Sequence, residues 1–74
     1  VSLTPSDLKR YKAVCFNGLH NAADMHANEM SFLSDMSEKL EKYERDSFVS
    51  FKQADWLDKL ETKLMQQLGA EYQD

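Results

Sequence analysis

The side chains with the widest chemical repertoire lie in the first half of the chain: Cys15, His20, Asp24, His26 and Glu29. On a helical wheel His26 and Glu29 fall one turn apart between Met25 and Met30, inside an otherwise apolar arc, and a buried carboxylate there needs a partner. One imidazole and one carboxylate supply only two ligands, so a metal or acid/base site requires completion by a second copy. The plainer readings are a helix interrupted at Asn28 with Glu29 exposed, or a simple pairing of the two. His20 and Asp24 stand at i,i+4, a spacing at which surface ion pairs are commoner than ligand pairs. Cys15 falls on an apolar helix face with no histidine at helical spacing, so it reads as a small hydrophobe and not as a nucleophile. No G-x-S-x-G surrounds any serine. The expectation is a protein without catalytic residues, metal or cofactor.

Three helical segments must position these groups. The clearest runs from Ser50 to Gly69. Ser50 and Gln53 form an S-x-x-Q capping box, Val49 and Ala54 stand where a weak hydrophobic staple would sit, and Gly69 is a C′ stop. Trp56, Leu57, Leu60, Leu64 and Leu68 share an arc roughly 120° wide, while Asp55, Asp58, Lys59, Thr62 and Gln66 take the other side. Met65 lies about half a turn from Trp56, so one of the two must point outward or to a second contact.

The first helix is announced by Thr4 as cap, Pro5 at N1 and Asp7 at N3. Leu8, Tyr11, Val14 and Cys15 form its apolar face, and Asn17-Gly18 suggests an end near Phe16, although Leu19 and Ala22 keep the same phase. Asn21 with Asp24 offers the next start. From there Ala22, Met25, Met30, Leu33, Met36, Leu40 and Tyr43 recur periodically, with Phe32 flanking the face and the irregular stretch HANEMS as a candidate kink. The pairs Asp35/Lys39, Glu38/Lys42 and Glu41/Arg45 support an exposed side down to Arg45. A short link at Asp46 to Val49 makes the last two helices antiparallel neighbours. The expected fold is a single all-α domain over residues 1–74, a three-helix bundle with helices at about 5–16, 22–45 and 51–68. The Asn17 to Asn21 turn is the hinge at which a swapped dimer would open.

A 74-residue chain buries a modest core, and with one cysteine and no Cys/His cluster it lacks the usual staples, which favours oligomers or partner binding. The lone cysteine suits a reducing compartment. No apolar run reaches the ~18 residues of a membrane span, and no signal peptide pattern is visible. A cytoplasmic protein is expected. The net charge is −4, and residues 13–38 contain no Lys or Arg but hold Asp24, Glu29, Asp35 and Glu38. An acidic middle argues against a phosphate-tracking surface and for a basic partner.

Two surfaces follow. Phe16 stands about 140° from Tyr11, Met65 is off its helix face, and Phe48 with Phe51 crowds a turn, so these apolar groups are candidates for association. With Asp24, Glu29, Asp35 and Glu38, the residues Phe16 and Met65 make up the expected protein-binding set, in a chain expected to self-associate as a homodimer. The alternative is nucleic-acid binding through Lys9, Arg10 and Lys12. The segment after Ser50 is a poor recognition helix, because Asp55, Asp58 and Glu61 repel as much phosphate as the lysines attract.

The order Phe32-Leu33, Met36, Leu40, then Ser50-x-Lys52-Gln53, Trp56-Leu57, Leu60 and Lys63-Leu64 resembles a helix, turn, helix segment of short proteins of phage and prophage origin. The resemblance covers roughly half the chain and carries over no functional residue. It implies a small accessory protein, an inhibitor or adaptor, that binds a host or phage macromolecule.

Overall fold

Thr4 Oγ1 accepts the Asp7 amide at 3.0 Å, Pro5 takes the first helical position, and helix α1 runs Pro5–Phe16. In this computed structural model, which describes residues 3–21 and 25–73, it is followed by α2 at Ala27–Tyr43 and α3 at Phe51–Leu68. No strand occurs among the described residues. The protein is an all-α three-helix bundle.

The cap of α3 forms as its residues dictate. The Ser50 N–H donates to Gln53 Oε1 at 3.0 Å and the Gln53 N–H donates back to Ser50 Oγ at 3.2 Å. At the far end Gly69 adopts φ +55°, ψ −122°, a positive-φ stop outside the left-handed helical region, and its N–H donates to the Met65 carbonyl.

Helix α2 departs from expectation. It begins at Ala27 and not near residue 22, with Met25 and His26 outside the helix. Glu29 turns back to accept the His26 N–H at 3.0 Å, so the irregular HANEMS stretch is the helix start itself. The expected N-x-x-D start therefore gives way to a Glu at N3. Asn21 spends its side chain on Asn17, and Ala22, Ala23 and Asp24 lie outside the described residues. Nor does α2 reach Arg45: Glu44 takes φ 50°, ψ −122°, which ends the helix in a 3-10 turn over Glu44–Asp46. Ser47 then sits fully inside, its Oγ donating to the Lys39 carbonyl at 3.2 Å.

After Phe16 the chain does not turn away at Asn17-Gly18 but widens into a π-helical turn, Asn17–Asn21. Its anchor is the buried Asn17 side chain. Nδ2 donates to the Ala13 and Gln73 carbonyls, both at 2.7 Å, while Oδ1 accepts from Asn21 Nδ2 and the Gln73 N–H, both at 3.0 Å. Four bonds satisfy the amide and pin the C-terminal segment to the end of α1.

The core takes three residues from each helix: Tyr11, Val14 and Cys15; Leu33, Met36 and Leu40; Leu57, Leu60 and Leu64. Burying each leucine contributes about 1.5–3 kcal/mol, so Leu57, Leu60 and Leu64 alone make α3 dependent on its neighbours. Phe32 stacks on Trp56 at 4.2 Å and Lys63 reaches Glu29 at 3.2 Å, pairings that run α2 and α3 antiparallel as expected. Arg10 against Asp58 and Asn17 against Gln73 run α1 parallel to α3. No α2 Cα comes within 8 Å of an α3 Cα, whereas α1 approaches both, so leucines, Met36 and the Phe32–Trp56 stack fill the wider α2/α3 seam. Trp56 thus takes the inward position, and Met65 is the residue that faces out, 45% exposed.

Candidate binding groove

Helix α1 carries three basic residues within four positions, and the helical turn of about 100° per residue sends them to different places. Arg10 reaches α3. Its Nη2 lies 2.8 Å from Asp58 Oδ1 and 3.2 Å from Glu61 Oε1, and Nη1 lies 3.3 Å from Asp7 Oδ1. Hydrogen bonding to Glu61, helped by Asp58 and opposed by partial burial, pushes the guanidinium pKa further up from an already high value. Arg10 is therefore a structural cation.

Lys9 and Lys12 turn further out, although Lys9 also borders a depression lined by Arg10 and Glu61. Together with Leu8, Ala13 and Phe16 the two lysines line an open groove of about 560 Å³ that runs along the outside of α1. Pro5 marks one end and Gln73 the other. Arg45 joins them from beyond α2, because its Nε donates to the Leu3 carbonyl at 3.0 Å while the Leu3 N–H donates to the Arg45 carbonyl at 2.7 Å. That two-way tie brings the α2–α3 connection to the start of α1. Among the described residues no carboxylate lines the groove, and neither lysine forms an ion pair. Its described wall is made of apolar carbon, three cations and Gln73.

The remaining candidates are dispersed. Phe16 is in the groove, 45% exposed, with its ring 5.0 Å from that of His20. Glu29 is occupied by the α2 cap and by Lys63, at 3.2 and 3.5 Å. The His26 N–H bond chiefly, with Lys63 behind it, holds its pKa below the ordinary value against the opposing effect of burial. Asp35 and Glu38 border a shallow depression with Lys39, Lys42 and Tyr43 on α2. Met65 is on α3, and Asp24 lies outside the described residues, as does the His20–Asp24 pairing. The expected acidic set is thus not one patch.

A second apolar feature is the corner between α2 and α3. Phe51 is 96% exposed and Phe48 67%, with Lys39 Nζ 5.7 Å from the Phe48 ring. With Val49, Ser50 and Ala54 these rings line a second, smaller apolar depression of about 320 Å³.

Cys15 is buried and its thiol is pushed up to about 12 by desolvation, so it stays protonated at neutral pH. Among the described residues no three His, Cys, Asp or Glu side chains are grouped so as to hold a metal ion. None of the helices there is long and apolar enough to cross a membrane.

Sequence reasoning found Phe16, Lys9 and Lys12 but assigned them to two different surfaces. The signal that unites them is a second stripe, Leu8, Lys12 and Phe16, at i,i+4 spacing beside the core face. Arg45 and Gln73 had no such local signal. Comparison with protein families, with curated proteins and with solved structures found no match.

Proposed function

We propose that this chain is a small non-enzymatic accessory protein, an inhibitor or adaptor, that acts by binding another protein through the outer face of α1. The observation that carries the reading is the groove: an open apolar strip of Leu8, Ala13 and Phe16 on a helix whose opposite face is already committed to the core. Apolar surface rimmed by three cations offers a specific partner charge to recognise as well as carbon to bury, whereas the smaller depression at Phe48 and Phe51 has no charged residue in its described lining. A cytoplasmic setting, suggested by the single cysteine, and a phage or prophage source, suggested by the resemblance noted above, belong to the same proposal. So does self-association, for which the exposed Phe51 and Met65 are the supporting residues; light scattering that finds one 8.6 kDa species at every concentration removes it.

Nucleic-acid binding is the competing reading, and the placement of Arg10 weighs against it. With that guanidinium neutralised by Asp58 and Glu61, Lys9, Lys12 and Arg45 remain, and three phosphate contacts support only weak, steeply salt-dependent binding. Affinity capture from a lysate of the source cells tests the proposal when wild type, Phe16→Asp and Phe51→Ser are compared. A partner protein held by wild type and Phe51→Ser but lost by Phe16→Asp supports it. Retention by Phe16→Asp, or capture only of nuclease-sensitive material, overturns it.

A further inference from the structure

Taking the groove as the interaction surface, we propose that its occupant is an acidic amphipathic helix of about three turns supplied by the partner protein, lying alongside α1 as a fourth helix of the bundle. Three features of the groove point there. Its charge is one-sided: among the described residues Lys9, Lys12 and Arg45 contribute to the wall and no carboxylate does, in a protein whose overall charge is −4. Complementary potential across such a surface selects an acidic segment and rejects a basic one. Its length is that of a short helix, because Pro5 to Phe16 at ~1.5 Å per residue spans about 16 Å. Its backbone offers nothing. The N–H and C=O groups of the α1 wall are spent inside the helix, those of Gln73 on the Asn17 side chain and the Arg45 carbonyl on the Leu3 N–H, so an extended peptide laid in the groove would leave its own polar groups without partners against apolar carbon. A helix satisfies its backbone internally and presents only side chains, which is the mode by which apolar anchors at i, i+3, i+4 and i+7 fill a groove. Leu8, Ala13 and Phe16 form the floor for those anchors, and the lysines meet flanking Asp or Glu.

The test uses the full chain and three labelled peptides of about 12–14 residues. One is helical with leucines on one face and glutamates beside them. A second has lysine at each glutamate position, and a third has the acidic composition scrambled so that no apolar face forms. Fluorescence anisotropy is expected to show the acidic amphipathic peptide binding about tenfold or more tighter than either control, with the difference shrinking between about 50 mM and about 200 mM salt. The double variant Lys9→Glu/Lys12→Glu, both changes on exposed or half-exposed side chains, is expected to lose that preference and to gain affinity for the basic peptide. Circular dichroism of that variant confirms that the bundle persists. Equal binding of acidic and basic peptides overturns the inference, as does binding that ignores the charge reversal, or binding seen only with mixed-sequence DNA or with phosphatidylglycerol vesicles. The two levels fail separately. A partner lost with Phe16→Asp whose binding is indifferent to Lys9 and Lys12 removes the acidic helix and leaves protein binding standing, whereas a partner indifferent to Phe16 removes both.

Discussion

The seams of α3 and the outer side of α1 handle charge in opposite ways. On α3, Glu61 and Lys63 stand two residues apart and reach opposite neighbours: Glu61 meets Arg10 of α1 at 3.2 Å and Lys63 meets Glu29 of α2 at 3.2 Å. Each seam is closed by leucines beneath and by an ion pair at its margin. On the outer side of α1, Lys9 and Lys12 border apolar carbon, and no counter-charge lines the groove wall among the described residues. Sequence neighbours Lys9 and Arg10 therefore serve different ends, one available and one consumed. The lesson is that a basic cluster in a helical sequence is not yet a basic surface.

The largest disruption of the closed side is expected at Gly18, where a Cβ would land on Leu33 Cδ1 with Met25 and Leu64 close behind. Gly18→Ala should cost about 1–3 kcal/mol in urea unfolding, as overpacked cores do. Pairing it with Leu33→Val, which removes that methyl, should recover part of the loss in a double-mutant cycle. Full additivity would show that Leu33 is not the obstacle.

Next in size is the α2/α3 seam. Glu29→Ala removes both the return half of the cap and the partner of Lys63, a loss of about 1–2 kcal/mol in thermal or chemical unfolding. The same residue sets an acid limb. Its folded pKa lies below the ordinary 4.5, so its stabilising contribution is complete above that value and is lost as pH falls through the lowered one. Glu29→Gln should flatten the stability profile in that acid window while leaving the neutral-pH profile shape unchanged. An identical acid limb in both proteins would remove Glu29 from this role.

Arg10→Ala comes third, at about 1 kcal/mol, because its ion pairs are half exposed and should weaken with added salt. Of opposite sign is Glu44→Gly. Glu44 holds φ 50°, ψ −122°, nearly the conformation of Gly69, in a region that side chains resist. Relieving that strain should raise stability by about 1 kcal/mol, and the gain sharpens the comparison by giving headroom to variants of either side. Smallest are Lys9→Ala and Lys12→Ala, expected within about 0.5 kcal/mol of wild type by the same unfolding measurements. A stability loss there equal to that of Arg10→Ala would mean that the open side is structural after all.

Much of the fold was legible because its signals are local. Thr4-Pro5 and the Ser50/Gln53 box place two helix starts through bonds spanning three residues, and Gly69 places an end. Leu57, Leu60 and Leu64 announce their shared face by spacing alone. The start of α2 misled because Ala22 and Met25 continue the apolar phase, whereas Glu29 can cap only if the helix begins after His26. Phe16, Lys9 and Lys12 were visible as individual candidates, and the Leu8, Lys12, Phe16 stripe was available to be read.

What the chain determined by itself is therefore its set of helices, their caps and the faces they must bury, since these depend on contacts a turn or less apart. Which cations remain open was decided only when α3 brought Asp58 and Glu61 beside Arg10, and Arg45 was tied to Leu3. Those partners lie more than forty positions apart, and no periodicity in a single helix records which neighbour will cover which side of it.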